Sequence, residues 1–280
     1  MHLIEDLIGH WQEVLPFVAL LSAVGLLSGF LAGLFGIGGG AVVVIALFEA
    51  FSAGGIDPAI RMHLATGTAL AVLAPTTFRS FRVHQALGTV DLDLVRRLAP
   101  AIVLGVLGGV LVANHAGGDV LKWVWIAMGS FLAIRMALGR DDWRLGDAIP
   151  TSLGVEAYAT FVGFISTLMS VGGGSYITLL MTLYGRPLHQ AVGTSSAFGP
   201  LIAVPAMIGF AWAGWDKPQL PPGSLGYVSL IGAALVIPTG LLGAPLGARL
   251  AHSLSKRRLE LAFAAFMACV VLRYLAGFLL

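Results

Sequence analysis

This sequence is poor in charge and almost without cysteine. Asp, Glu, Lys and Arg make up only 11% of its 280 residues, against 58% hydrophobic ones. A soluble domain of this size could not hide that much apolar surface, so the chain reads as an integral membrane protein. The formal net charge is only +2, and the basic residues fall in short loops rather than in a patch, which argues against a nucleic-acid partner. The single cysteine, Cys269, excludes an intrachain disulfide and argues against metal-thiolate chemistry. No group of His, Cys or acidic residues has metal-ligand spacing, so neither a metal nor a cofactor is expected. The N-terminal MHLIEDLIGHWQEV is acidic where a secretory signal would be basic, and residue 14 onward is taken as mature structure.

Apolar sequence and glycine are abundant, and the glycines are placed where they interrupt helices. Residues 14–48 form an uncharged run of about 35 residues, roughly 52 Å as a helix against a hydrocarbon core of roughly 30 Å. Inside it, LAGLFGIGGGAVVV carries Gly38, Gly39 and Gly40 in succession. Three glycines cost about 1 kcal/mol each relative to alanine in a helix, so the run reads as helix, break and short second helix. The stretch ISTLMSVGGGSYIT at 165–178 repeats this arrangement with Gly172, Gly173 and Gly174.

The repeat extends to the whole chain. In the first half, the broken stretch is followed by a His63-led apolar run (62–78) and two spans (98–112 and 120–138). In the second half, the broken stretch (157–185) precedes a His189-led helix (189–212) and spans at 227–250 and 259–279. Gly40 pairs with Gly174 at an offset of 134 residues, HLATGTA at His63 with HQAVGTS at His189, and GVLGG at Gly105 with GLLGA at Gly240. Landmarks in one order, twice, indicate a duplicated fold. If the basic loops 79–97, 135–144 and 249–258 all face the cytoplasm, each half holds five helical pieces and the halves run in opposite senses. The expected fold is therefore all-α and polytopic, with two inverted repeats, 1–147 and 148–280, in one integrated domain whose helices break at the glycine runs. Trp123, Trp125, Trp143, Trp212 and Trp215 fall near span ends, as interfacial anchors do. Gly25, Gly29 and Gly33 form one smooth helix face, and Gly240, Gly243 and Gly247 another.

A helix that starts inside the membrane leaves backbone N–H groups unpaired, and with the positive end of its dipole they suit an anion. The candidate ligand-contacting residues are thus Gly38, Gly39, Gly40, Gly172, Gly173, Gly174 and Ser175 at the breaks. Thr66, Thr68, Thr194, Ser195 and Ser196 join them from the early turns of the His-led helices. His63 and His189 could donate to an anion or carry a proton. Glu49 and Glu156, the acids nearest the broken segments, are the candidates for proton coupling. For any one of these residues helix packing, capping or an interfacial position is the alternative; the pairing across the repeat favours a ligand site. Enzyme readings fare worse. GIGGGA at 36–41 fits a dinucleotide fingerprint only formally, lacking a βαβ frame. Ser195 lies six residues from His189, about 240° around a helix, so that histidine could not activate it.

Taken together, the GxGGG and VGGGS breaks, the A-x-G-T elements at 65–68 and 191–194, and the glycine-rich spans at 105–111 and 240–246 resemble the sulfite exporter TauE/SafE family over nearly the whole chain. The resemblance implies a multi-pass protein of the bacterial inner membrane that transports a small anion, a sulfur oxyanion or an organosulfonate such as sulfoacetate. The proton gradient or membrane potential would drive it, by alternating access. A passive anion channel and an integral membrane enzyme are the other readings, and a homo-oligomer is left open. Ala69 and Leu70 stand where the second half has Ser195 and Ser196, so the two halves of such a site would be chemically unequal.

Overall fold

Glycine and aspartate set several of the helix starts. The computed structural model describes residues 11–35, 39–138, 144–253 and 255–279; Gly38 and Trp143 lie outside them. In the first half α1 (Trp11–Phe35) ends before the glycine run and α2 (Gly40–Ala53) begins within it. Asp57 then caps α3 (Pro58–Ala86), accepting from the Ala59 N–H at 2.9 Å, with Pro58 at the first helical position. Asp91 caps α4 (Leu92–His115) by accepting from the Leu94 N–H at 3.0 Å, and α5 (Gly118–Leu138) completes the half.

The second half follows the same order: α6 (Leu153–Met169), the short α7 (Gly174–Leu183), then α8 (Leu188–Ser196) and α9 (Phe198–Ala213) end to end, then α10 (Leu230–Ser253) and α11 (Lys256–Leu279). Among the described residues four helical stretches are long and apolar enough to cross a membrane: Leu92–His115, Gly118–Leu138, Leu188–Ala213 and Leu230–Gly247. The protein is therefore polytopic and built from helices. With 14 and 10 residues, α2 and α7 reach about 21 and 15 Å, too short to span alone.

Packing between the halves is reciprocal. The glycine face of α1 lies on the glycine face of α10: a Cβ on Gly29 would overlap the Gly240 carbonyl, and one on Gly247 the Phe30 carbonyl. Gly25 faces Val236 and Gly29 faces Gly240, so the two helices run in the same sense. Likewise α4 packs on α6, Gly163 against Ile102 and Gly109 against Phe164 and Thr167, again in the same sense. The first helix of each half thus rests on the fourth of the other, backbone to backbone, as small residues allow in lipid. By contrast α3 and α9 cross in opposite senses, Gly67 meeting Phe210 and Gly199 meeting Thr77. So do α5 and α11, where Trp125 meets Tyr274, Gly129 meets Val271, and Arg257 donates to the Met136 carbonyl at 3.2 Å.

Three details differ from the sequence reading. Helix α3 continues to Ala86, so Arg79 and Arg82 ride on its last turns instead of lying in a loop. The span expected to begin at residue 227 begins at Leu230, because Ser224–Leu225 and Val228–Ser229 pair as a small antiparallel hairpin in front of it. Trp125 is not an interfacial anchor: it is 0% exposed, covered by Tyr274 of α11, whereas Trp123, Trp212 and Trp215 are exposed.

Candidate functional site

The two short helices start in the same way. Gly39 (φ 66°, ψ 1°) precedes α2 and Gly173 (φ 69°, ψ −4°) precedes α7, both left-handed, a conformation that strains any residue with a Cβ. The Gly39 carbonyl accepts the N–H groups of Val42 and Val43 at 3.1 and 3.4 Å. The Gly173 carbonyl accepts those of Tyr176 and Ile177, both at 3.1 Å. Ser28 of α1 fastens the first break by donating to the Gly39 carbonyl at 3.1 Å.

These breaks touch each other. A Cβ on Gly40 would overlap the carbonyl of Ser170, so the first residue of α2 lies flat against the end of α6. Ser170 is itself left-handed (φ 51°), the one non-glycine residue so held among those described. Its hydroxyl donates to the Thr66 carbonyl at 2.9 Å, tying the second break to α3 of the first half. Two buried hydroxyls here, Thr66 Oγ1 and Ser166 Oγ, have no hydrogen-bond partner. Each short helix also offers first-turn N–H groups that its own carbonyls cannot reach.

Next to this junction lies a narrow cleft, lined by Thr76, Thr77 and Ser80 of α3, Ser195 and Ser196 of α8, Gly172 and Gly199, with Ala32, Gly33 and Ala244 from α1 and α10. Its volume is about 10 Å³, room for one water and too small for a sulfur oxyanion. The conformation seen is therefore closed around the cleft. Ser196 donates to the Gly193 carbonyl at 2.6 Å, Ser195 to Val192 at 2.9 Å and Thr77 to Leu73 at 2.7 Å, so each of these protons is held within its own helix. A ligand with an acceptor oxygen would have to draw such a hydroxyl proton to itself.

Thr68 and Thr194 do a matched structural job. Thr68 Oγ1 accepts the Ser229 N–H at 2.9 Å, and Thr194 Oγ1 accepts the Asp91 N–H at 2.9 Å. The preceding glycines allow the approach: a Cβ on Gly67 would strike the Tyr227 carbonyl, and one on Gly193 would strike Thr89. Each Gly-Thr pair therefore fastens the third helical segment of one half to the chain entering the fourth helix of the other. Those backbone bonds explain both threonines without a ligand.

The histidines part company. His63 is buried, its Nε2 within 3.0 and 2.9 Å of the Ala113 and Ala116 carbonyls at the end of α4, and its ring lies 5.1 Å from that of Tyr227. His189 is exposed, and neither ring lines the cleft. Glu49, at the end of α2, pairs with Arg273 of α11, and Glu156 is exposed in the first turn of α6. Arg61 braces the turn between α2 and α3, donating to Ser52 Oγ at 2.9 Å and to the Ile56 carbonyl. Ser175 is buried in the first turn of α7. Among the described residues no three His, Cys, Asp or Glu side chains come together to hold a metal ion.

Sequence reasoning passed over Ser28, Ser166, Ser170, Thr76, Thr77 and Ser80. Ser166 and Ser170, four apart on the approach to VGGGS, were the readable signal. The cleft threonines sit a further two turns along α3 from Thr68, where nothing in the repeat marks them.

A family model for sulfite exporter TauE/SafE matches residues 21–274. A "Probable membrane transporter protein" of Haemophilus influenzae is 31% identical over 256 residues, covering 91% of this chain and 97% of the relative. Proteins with the same description from Methanocaldococcus jannaschii and Bacillus subtilis are 26% and 28% identical, covering 91% and 87% of this chain and 94% of each relative. No solved structure matches the chain.

Proposed function

Because this chain belongs to the sulfite exporter TauE/SafE family, we propose that it is a secondary transporter exporting sulfite or an organosulfonate such as sulfoacetate across the bacterial inner membrane. The observation that carries this reading is the contact between the two glycine breaks, Gly40 on Ser170, beside unpartnered hydroxyls and a closed hydroxyl-lined cleft. Anion oxygens would meet the first-turn N–H groups of α2 and α7 there, at the positive ends of two helix dipoles. The repeats 1–147 and 148–280 would be inverted, a reading supported by α3 against α9 and α5 against α11, each pair of corresponding helices running in opposite senses.

Alternating access follows from rocking one half on the other, opening the cleft between α1, α3, α8 and α10. An anion leaving a cell that is negative inside gains about 2.3 kcal/mol per charge per 100 mV, so export needs no proton. Glu49 pairs with Arg273, Glu156 is exposed, and neither lines the cleft.

The test is flux in liposomes containing the purified protein and loaded with sulfite or sulfoacetate. Saturation and counterflow are expected; flux that rises linearly without counterflow would make the protein a channel, and turnover of substrate without flux would make it an enzyme. Replacing Ser195 and Ser196 together by alanine is expected to lower the rate at least about tenfold, the loss of one hydrogen bond to a charged group. An unchanged rate would remove those serines from the site.

A further inference from the structure

We propose that the hydroxyls of Ser166 and Thr66, one from each half, are further side-chain donors to the oxygen atoms of the transported anion where the breaks meet, beside the cleft serines. The assignment rests on the transporter reading above and names the atoms that recognise its substrate. Both residues are 0% exposed and both hydroxyls lack a partner. A serine or threonine within a helix can satisfy itself by donating to the carbonyl four residues back, as Thr167, beside Ser166, does to Gly163 at 2.9 Å. Ser166 and Thr66 do not, although a dry, unpaired hydroxyl is destabilising. Such a group calls for an explanation, and an anion oxygen or a water bound at the break would supply its missing partner.

Their position fits an anion. Ser166 Oγ lies 3.2 Å from where a side chain on Gly173 would sit, packed there with Ile202 and Val162, and so stands beside the glycine that precedes α7, a helix of 10 residues. Thr66 is held against the same break by the 2.9 Å bond from Ser170 to its carbonyl. The repeat also removes a structural requirement for either hydroxyl. Ala32 stands at the position of Ser166 and Val192 at that of Thr66, so the same broken-helix frame is built in the other half with apolar side chains there.

Those two residues supply the variants: Ser166→Ala and Thr66→Val each copy the chain's own counterpart. The experiment measures thermal stability of the purified full chain alone and in titrations of sodium sulfite and sodium sulfoacetate, with sodium chloride at matched ionic strength as control. Each variant without ligand is expected to melt at or above the wild-type temperature, because an unpaired buried hydroxyl has gone. The dissociation constant for whichever probe stabilises the wild type is expected to rise about tenfold in each. Ser166→Cys, which keeps a group of similar shape with a weak donor, is expected to show the same loss of affinity. A lower melting temperature or a failure to fold with Ser166→Ala, or wild-type affinity in any of the three variants, would make the hydroxyls structural and overturn the assignment while leaving the transporter reading intact. If neither probe stabilises the wild type, the sulfur-oxyanion reading falls and this assignment falls with it.

Discussion

The two glycine breaks share a backbone and differ in side chains. Gly39 and Gly173 adopt nearly the same left-handed geometry, and each gives its carbonyl to the third and fourth residues after it. Around the second break stand Ser166, Ser170 and Ser175; their counterparts at the first are Ala32, Gly36 and Ala41. The frame, which needs glycine, is the same at both breaks, while Ser166, Ser170 and Ser175 stand only around the second. The anion site proposed here would be symmetric in its helix ends and unequal in the hydroxyls it draws from each side.

That contrast can be broken most severely at Gly40, where any Cβ overlaps the Ser170 carbonyl. Gly40→Ala is expected to cost about 1–3 kcal/mol of stability through overpacking and to cut anion flux more than tenfold, since it drives the breaks apart. Flux and melting temperature close to wild type would mean that the contact is incidental. Thr68→Val and Thr194→Val probe the symmetric part of the comparison. Each strands one backbone N–H, on Ser229 or Asp91, and each is expected to cost about 1–2 kcal/mol in denaturant unfolding. If one variant is much more damaging than the other, the two Gly-Thr elements are not equivalent fasteners.

The smallest effect is expected at Glu49, whose pair with Arg273 is close to half exposed on both sides. Glu49→Gln should change stability by about 0–1 kcal/mol and leave flux and its dependence on external pH unaltered. Loss of flux there would return the residue to the transport cycle as a proton carrier.

The frame was legible in the sequence because triple glycine inside an apolar run has few structural outcomes in lipid. The stripe of Gly25 and Gly29 could likewise be read as a packing face, and it meets Gly240 as a packing face should. What each hydroxyl does was not legible. Thr68 and Thr194 looked like ligand donors at helix starts, yet their partners lie 161 and 103 residues away, a relation that spacing along one helix cannot reveal. Ser166 has the opposite history: by spacing it is an ordinary helix serine, and only the absence of any partner sets it apart. Trp125 misled for the same reason as the threonines, since the neighbour that buries it, Tyr274, comes from the far end of the chain.

One anion site is proposed to form where Gly40 meets Ser170. Anomalous diffraction from crystals grown with selenite, the heavier counterpart of sulfite, tests it most directly. A selenium peak is expected between the starts of α2 and α7, within hydrogen-bonding distance of Ser166 or Thr66. A peak at the loop arginines, or none at the junction when selenite competes with sulfite for transport, would contradict it.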